Sequence, residues 1–188
     1  MHHDYDVGVI GSGFGGSVAA LRLTEKGYRV GVFEAGRRYD DESLPKSSWN
    51  LRRFFWFPRL GLQGIQRLSL LRDVLVLSGS GVGGGSLVWA NVCYEPLDDA
   101  FADPQWAEIT DWKQELTPYY DQARRMLGAE RVPFETNSDV VMRSVASDLG
   151  VEDTFRLADV AVHFGTPGET SGDPYFGGEG PHRDGCLH

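Results

Sequence analysis

At 188 residues and 41% hydrophobic content, the chain has room for one globular domain, or one and a fraction. Its net charge of −9 excludes a general nucleic-acid binder, which needs a basic face to neutralise phosphates. Two cysteines, Cys93 and Cys186, are too few for a disulfide framework, and residues 1–6 carry His and Asp where a secretory leader would carry Lys or Arg. The expectation is a cytoplasmic protein without a metal site.

Residues 4–10 (DYDVGVI) read as a short buried strand, and residues 17–26 as an amphipathic helix closed by Gly27. Between them, Gly11, Gly13 and Gly16 fit G-x-G-x-x-G. The first permits a tight turn, the second lets a pyrophosphate approach the chain, and the third lets helix and strand pack closely. Gly15 adds room, and Phe14 lies in the same turn. Unpaired N–H groups and the positive end of the helix dipole face the turn, so an anion is its natural occupant.

The next run, residues 28–33 (YRVGVF), reads as a second strand, and Glu34 ends it about 20 residues past the glycines, where a carboxylate can accept hydrogen bonds from ribose hydroxyls. Strand, turn, helix, strand and acid together point to a dinucleotide. After Glu34 the regular alternation stops. Residues 46–73 carry Lys46, Arg52, Arg53, Arg59, Arg67 and Arg72 against one acid, Asp73, around the cluster Phe54, Phe55, Trp56, Phe57. Two readings fit this basic, aromatic insert: a surface that meets lipid or a greasy substrate, or arginine stems and rings that cover the nucleotide domain.

Residues 73–77 (DVLVL) form a candidate strand, followed by a second glycine-dense loop containing Gly79, Gly81, Gly83, Gly84 and Gly85. Ser86 is suited to cap a short helix beginning LVWAN. One cofactor that meets the backbone twice, at its pyrophosphate and elsewhere along its length, explains two such loops. Residues 74–94 are uncharged, but their five glycines and three serines exclude a membrane span.

From Pro96 the pattern turns helical. Thr117 and Pro118 suggest the start of a helix stopped by Gly128, and a second helix is expected over residues 139–149. Residues 159–164 (DVAVHF) alternate like a strand that ends beside His163, read as a structural histidine, and residues 165–188 read as loop.

The stretches DYDVGVIGSGFGGSVAALRLTEKGYRVGVFEAGRRY and GSGVGGGSLVWANVCYEP, and more loosely LTPYYDQARRMLG and DPYFGGEGP, resemble the glucose-methanol-choline oxidoreductases, in particular their bacterial cholesterol-oxidase-like branch. The likeness covers the whole chain but only about the first third of such an enzyme. It implies an α/β fold, an incomplete FAD-binding Rossmann-like domain of the glutathione-reductase type, with the start of an α+β substrate domain. Residues 1–97 would be the N-terminal part of the FAD-binding domain, with the insert at about 40–73, and residues 98–188 a helical segment and loop leading into the substrate domain. FAD would lie with its pyrophosphate at Gly11–Gly16 and its ribose at Glu34. Gly81, Gly83, Gly85, Ser86 and the backbone near Trp89, Asn91 and Val92 would run along its flavin end. Family members carry Asn-Gly where this chain has Trp89 and Ala90, and Met where it has Val92, so no side-chain role transfers there.

The resemblance further implies oxidation of a hydrophobic alcohol, a 3-hydroxysteroid in this branch, by hydride transfer to flavin with oxygen as acceptor. The base, a histidine, belongs to the C-terminal part; none of His2, His3, His163, His182 or His188 matches it, and no catalytic residue is assigned. Family members complete the nucleotide-binding sheet with strands from the far C-terminus, so the present residues alone would leave sheet edges bare. Two other readings remain open: an inactive FAD-binding fragment, and an NAD(P)-linked dehydrogenase, which would share the first glycine loop but leave the second unexplained.

Overall fold

A computed structural model describes residues 3–173 and 178–187. His2, His188 and the Pro174–Gly177 part of DPYFGGEGP lie outside the described residues. Two units separate along the chain, Met1–Ala90 and Asn91–His188.

The first unit opens with strand β1 (Val7–Ile10), helix α1 (Phe14–Glu25) and strand β2 (Val30–Phe33). β1 and β2 pair in parallel, Val7 opposite Val30 through Ile10 opposite Phe33. Parallel neighbours need a crossover, and α1 supplies it. The helix starts three residues earlier than periodicity suggests, because Gly13 already serves as its N-cap. It ends as expected at Gly27: Tyr28 N–H donates to the Leu23 carbonyl and Gly27 N–H to that of Thr24, the paired bonds of a Schellman motif. Arg29 ties the start of β2 to the approach of β1 through a bidentate pair with Asp6, whose carboxyl it holds down to about 2.

The basic insert is more ordered than its composition suggests. It contains helix α2 (Leu51–Phe54), strands β3 (Trp56–Phe57) and β4 (Leu62–Gln63), and the strand pair β5 (Gln66–Leu70) and β6 (Leu75–Gly79). β3 and β4 form one antiparallel pair, β5 and β6 another. The strand expected over residues 73–77 therefore exists, two residues later and with a partner that the sequence does not announce. Arg37 and Tyr39 anchor the insert by donating to the side chain and carbonyl of Gln63.

The second unit contains α3 (Asp98–Phe101), α4 (Trp112–Leu127), β7 (Glu130–Arg131), α5 (Asn137–Asp148) and β8 (Asp159–Val160). α4 begins at Trp112, not Thr117. The Asp111 carboxylate accepts from Gln114 N–H at 3.0 Å and starts the helix, and Pro118 sits inside it. The indole of Trp112 donates to the Trp106 carbonyl and fixes that first turn in place. α5 starts at a capping box in which Thr136 and Asp139 each bond the other's backbone N–H. β8 pairs antiparallel with β7 but spans two residues rather than the expected six. His163, beyond it, lies 3.3 Å from Glu130 and 3.2 Å from the Ser171 hydroxyl.

Little of this is buried. The chain exposes 14175 Å², whereas two independent compact proteins of half its mass would expose about 11000 Å² together. Ile65 is the sole buried hydrophobic side chain among the described residues, while Ile10 is 92% and Trp49 91% exposed. Among the described residues, the outer edges of the β1–β2 pair have no further ladder partner in this sheet.

Candidate dinucleotide site

The site grows from the junction between β1 and α1. Gly11 turns the chain with φ of +88°, a conformation that a side chain resists. A Cβ at Gly16 would come 2.0 Å from the Gly11 carbonyl oxygen, so the third glycine of the motif is required by helix-to-strand packing. Gly13 and Gly15 differ: Cβ atoms there would meet nothing closer than 3.9 Å. Their bareness leaves an open approach to the first turn of α1, where the N–H groups of Phe14, Gly15 and Gly16 cannot have intrahelical partners. Open space beside three aligned donors fits a phosphate group.

The second glycine loop lies directly against the first. A Cβ on Gly84 would sit 2.7 Å from the Gly13 Cα, and one on Gly79 would overlap the Gly84 carbonyl. Phe14 packs edge-on against Trp89 at 5.1 Å between centroids, and its ring also lies 3.4 Å from where a Gly85 Cβ would stand. The two loops thus touch each other rather than standing apart along a ligand, as two separate backbone approaches would require. Where Gly84 meets Gly13, neither residue carries a side chain, and backbone meets backbone.

Glu34 binds this junction. Its Oε2 accepts from the N–H of Ser12 at 2.9 Å and from the Ser12 hydroxyl at 2.8 Å, and its Oε1 accepts from Gly36 N–H at 3.0 Å. The Gly81 N–H adds a further pull on its charge. Burial works to raise the carboxyl's pKa, but the donors from Ser12, Gly36 and Gly81 outweigh it, and the group lies below the ordinary glutamate value. It stays ionised at neutral pH.

Ser86 does not cap a helix over LVWAN. It lies inside a 3-10 turn, Gly84–Leu87, which Gly83 precedes in a left-handed conformation, and both its N–H and its hydroxyl reach the Gly83 carbonyl. That carbonyl is used up tightening one turn, so no α-helix grows from it. Gly81, Gly83 and Gly85 join the first loop, Glu34 and Trp89 within the first unit. Asn91 and Val92 belong to the second unit, where the Asn91 carbonyl accepts from Ala161 N–H and Val92 forms a bridge to Val160. Asn91 takes φ of +61°, the left-handed region that residues other than glycine seldom adopt. Spacing alone missed Ser12 and Gly36, and placed Gly84 in the second loop without giving it a part in the site. The serine inside GSG and the glycine two residues past Glu34 were the available signals.

A parallel strand–helix–strand unit with a glycine turn at the helix N-terminus and an acid ending the second strand defines a Rossmann-like dinucleotide-binding domain. Residues 9–39 match the family of NAD(P)-binding Rossmann-like domains. Along its full length the chain is 58% identical over 192 aligned positions to a cholesterol oxidase of Mycobacterium tuberculosis, covering 100% of this chain and 33% of that protein. It is 42% identical to a cholesterol oxidase of Acinetobacter baumannii, over 99% of this chain and 34% of the relative. A long-chain-alcohol oxidase, FAO3 of Arabidopsis thaliana, matches at 29% identity over 87% of this chain and 22% of its own length. The chain is a cholesterol-oxidase homologue and corresponds to an N-terminal portion of an enzyme of the glucose-methanol-choline type. It spans about a third of the length of those cholesterol oxidases. No helix among the described residues is long and apolar enough to cross a membrane.

Proposed function

We propose that this chain is the cofactor-binding portion of an FAD-dependent oxidoreductase that oxidises the hydroxyl of a 3-hydroxysteroid, with oxygen as the acceptor. The observation that carries the reading is the second glycine loop seated on the first. An NAD(P) site needs only the first loop, and the 58% identity to a cholesterol oxidase extends through both. Bound FAD would supply the hydride acceptor.

The residues of the chain do the holding. The first-turn N–H groups of α1 at Phe14, Gly15 and Gly16 receive the pyrophosphate beside Gly11 and Gly13, and Glu34 accepts from a sugar hydroxyl where its donors leave room. Gly81, Gly83, Gly85, Ser86 and Trp89 continue the cradle within the first unit. Residues 1–97 form the start of the FAD-binding domain, and residues 98–188 lead toward the substrate domain. The remaining two-thirds of the enzyme supplies the catalytic base and covers the bare sheet. The basic insert, with its exposed Trp49, meets the membrane from which a sterol comes.

The test is spectroscopic. The complete protein should carry a flavin absorption band that bleaches when a 3-hydroxysteroid is added without air, and peroxide should appear when air is admitted. A flavin band that never bleaches would leave only FAD binding, and affinity for nicotinamide cofactors alone would overturn the reading.

A further inference from the structure

Ser12 occupies the variable position between the first two glycines, where the motif prescribes no particular residue. Yet it is 8% exposed, one of the few buried polar side chains among the described residues. Its hydroxyl has one proton and two lone pairs. The proton goes to Glu34 Oε2 at 2.8 Å, and a lone pair accepts from Gly83 N–H at 3.1 Å. Its N–H donates to the same carboxylate oxygen, and its carbonyl accepts from the Ser17 hydroxyl on α1 at 2.8 Å. One side chain thereby connects β2, the first glycine loop and, 71 residues away in sequence, the second.

The geometry points to Ser12 as a positioning residue that locks the second glycine loop onto the first through Glu34, and so sets dinucleotide affinity without touching the dinucleotide. This rests on the FAD-binding function proposed above and deepens it. The glycine contacts between the loops contribute shape but no directional bond, since Gly13 and Gly84 meet through Cα atoms. Direction comes from the chain Gly83 N–H to Ser12 hydroxyl to Glu34, whose charged end strengthens and orients the neutral link before it. Without the hydroxyl, Gly83 N–H loses its acceptor and Glu34 one of its donors. The second loop then keeps its packing on Phe14 and Gly13 but loses its directional tie to the first, and a ligand must reorder it on binding. Burial of the hydroxyl separates this role from direct contact, because a group so enclosed presents nothing to a cofactor.

Ser12→Ala and Ser12→Cys in the complete enzyme test this, the cysteine keeping the volume but not the hydrogen-bonding strength. Both should raise the dissociation constant for FAD about tenfold, in keeping with loss of one bond to a charged acceptor. In the absence of cofactor, both should speed hydrogen exchange of Gly83 N–H at least tenfold. A Ser12→Ala/Glu34→Gln double variant should bind FAD no more weakly than Glu34→Gln alone, because the serine acts through the carboxylate. Unchanged exchange at Gly83, wild-type affinity in Ser12→Cys, or additive losses in the double variant would each overturn the inference. If the wild-type enzyme takes up no FAD, the proposed function falls, and exchange at Gly83 alone then decides whether the lock exists.

Discussion

The two units differ in the balance of what holds them together. In Met1–Ala90, the densest contacts are made where side chains are missing: Gly16 on Gly11, Gly84 on Gly13, Gly36 on Gly81, with Ser12 and Glu34 wired between them. In Asn91–His188 one such bare contact recurs, Gly185 on Phe164, but charged and capping side chains make many of the joints. Asp159 takes Arg131 at 3.0 Å and Arg124 at 3.6 Å, Arg124 also reaches Glu95 at 3.1 Å, and Thr136 and Asp139 box the start of α5. A region that must admit a ligand to its backbone keeps that backbone bare and builds its contacts from peptide groups. A region that only has to hold shape can use long, exposed charges. Errors should therefore be costly in the first unit and mild in the second.

The largest effect is expected from Gly84→Val. Its Cβ would lie 2.7 Å from the Gly13 Cα, at a φ of +54° that β-branched residues avoid. Separation of the loops should weaken FAD binding by more than about a hundredfold, above what one lost hydrogen bond explains, as read by fluorescence titration of the apoprotein. Near-normal affinity would remove the contrast between the units altogether.

Acid should act next. Glu34 has a folded-state pKa below its unfolded value, so its contribution is fully present above the ordinary glutamate pKa and is lost as pH falls through the lower folded value. Dinucleotide affinity measured from neutral to acid pH should decline over that window, and Glu34→Gln should flatten the decline. A decline of equal steepness in the variant would assign it to other groups.

In the second unit, Asp159→Ala removes the shared partner of Arg124 and Arg131. Since the two arginines remain about half exposed to water although Asp159 itself is 19% exposed, the expected loss is about 1 kcal/mol of stability. Chemical denaturation should register it while FAD affinity stays unchanged; a fall in affinity comparable to that of Gly84→Val would break the division of labour. Thr136→Ala should have the smallest effect, again about 1 kcal/mol or less, by removing the cap of α5. It should appear as faster exchange in the first turn of α5 and nowhere in the glycine loops.

Much of the first unit could be read from spacing because each signal and its structural consequence lie within one turn or one strand. Gly27 ends α1 five residues after the last turn begins, and Gly16 faces Gly11 across a single bend. The misreadings share a cause. Pro118 looks like a helix start if only its neighbours are considered, but Asp111 and Trp112 start α4 a turn and a half earlier. Ser86 looks like a cap until its hydroxyl is seen to turn back onto Gly83. β5, QRLSL, has too little alternation to read as a strand, and becomes one because β6 pairs with it.

Local pattern alone was enough for the order of strand, glycine turn, helix and acid, since a backbone turn, a helix dipole and a period of side chains are all short-range properties of the chain. The meeting of the two glycine loops, and the serine that joins them through Glu34, arise only once the chain has folded. Their hydrogen bonds link residues 22 and 71 positions apart, and no short-range preference encodes which distant donor a buried hydroxyl will find.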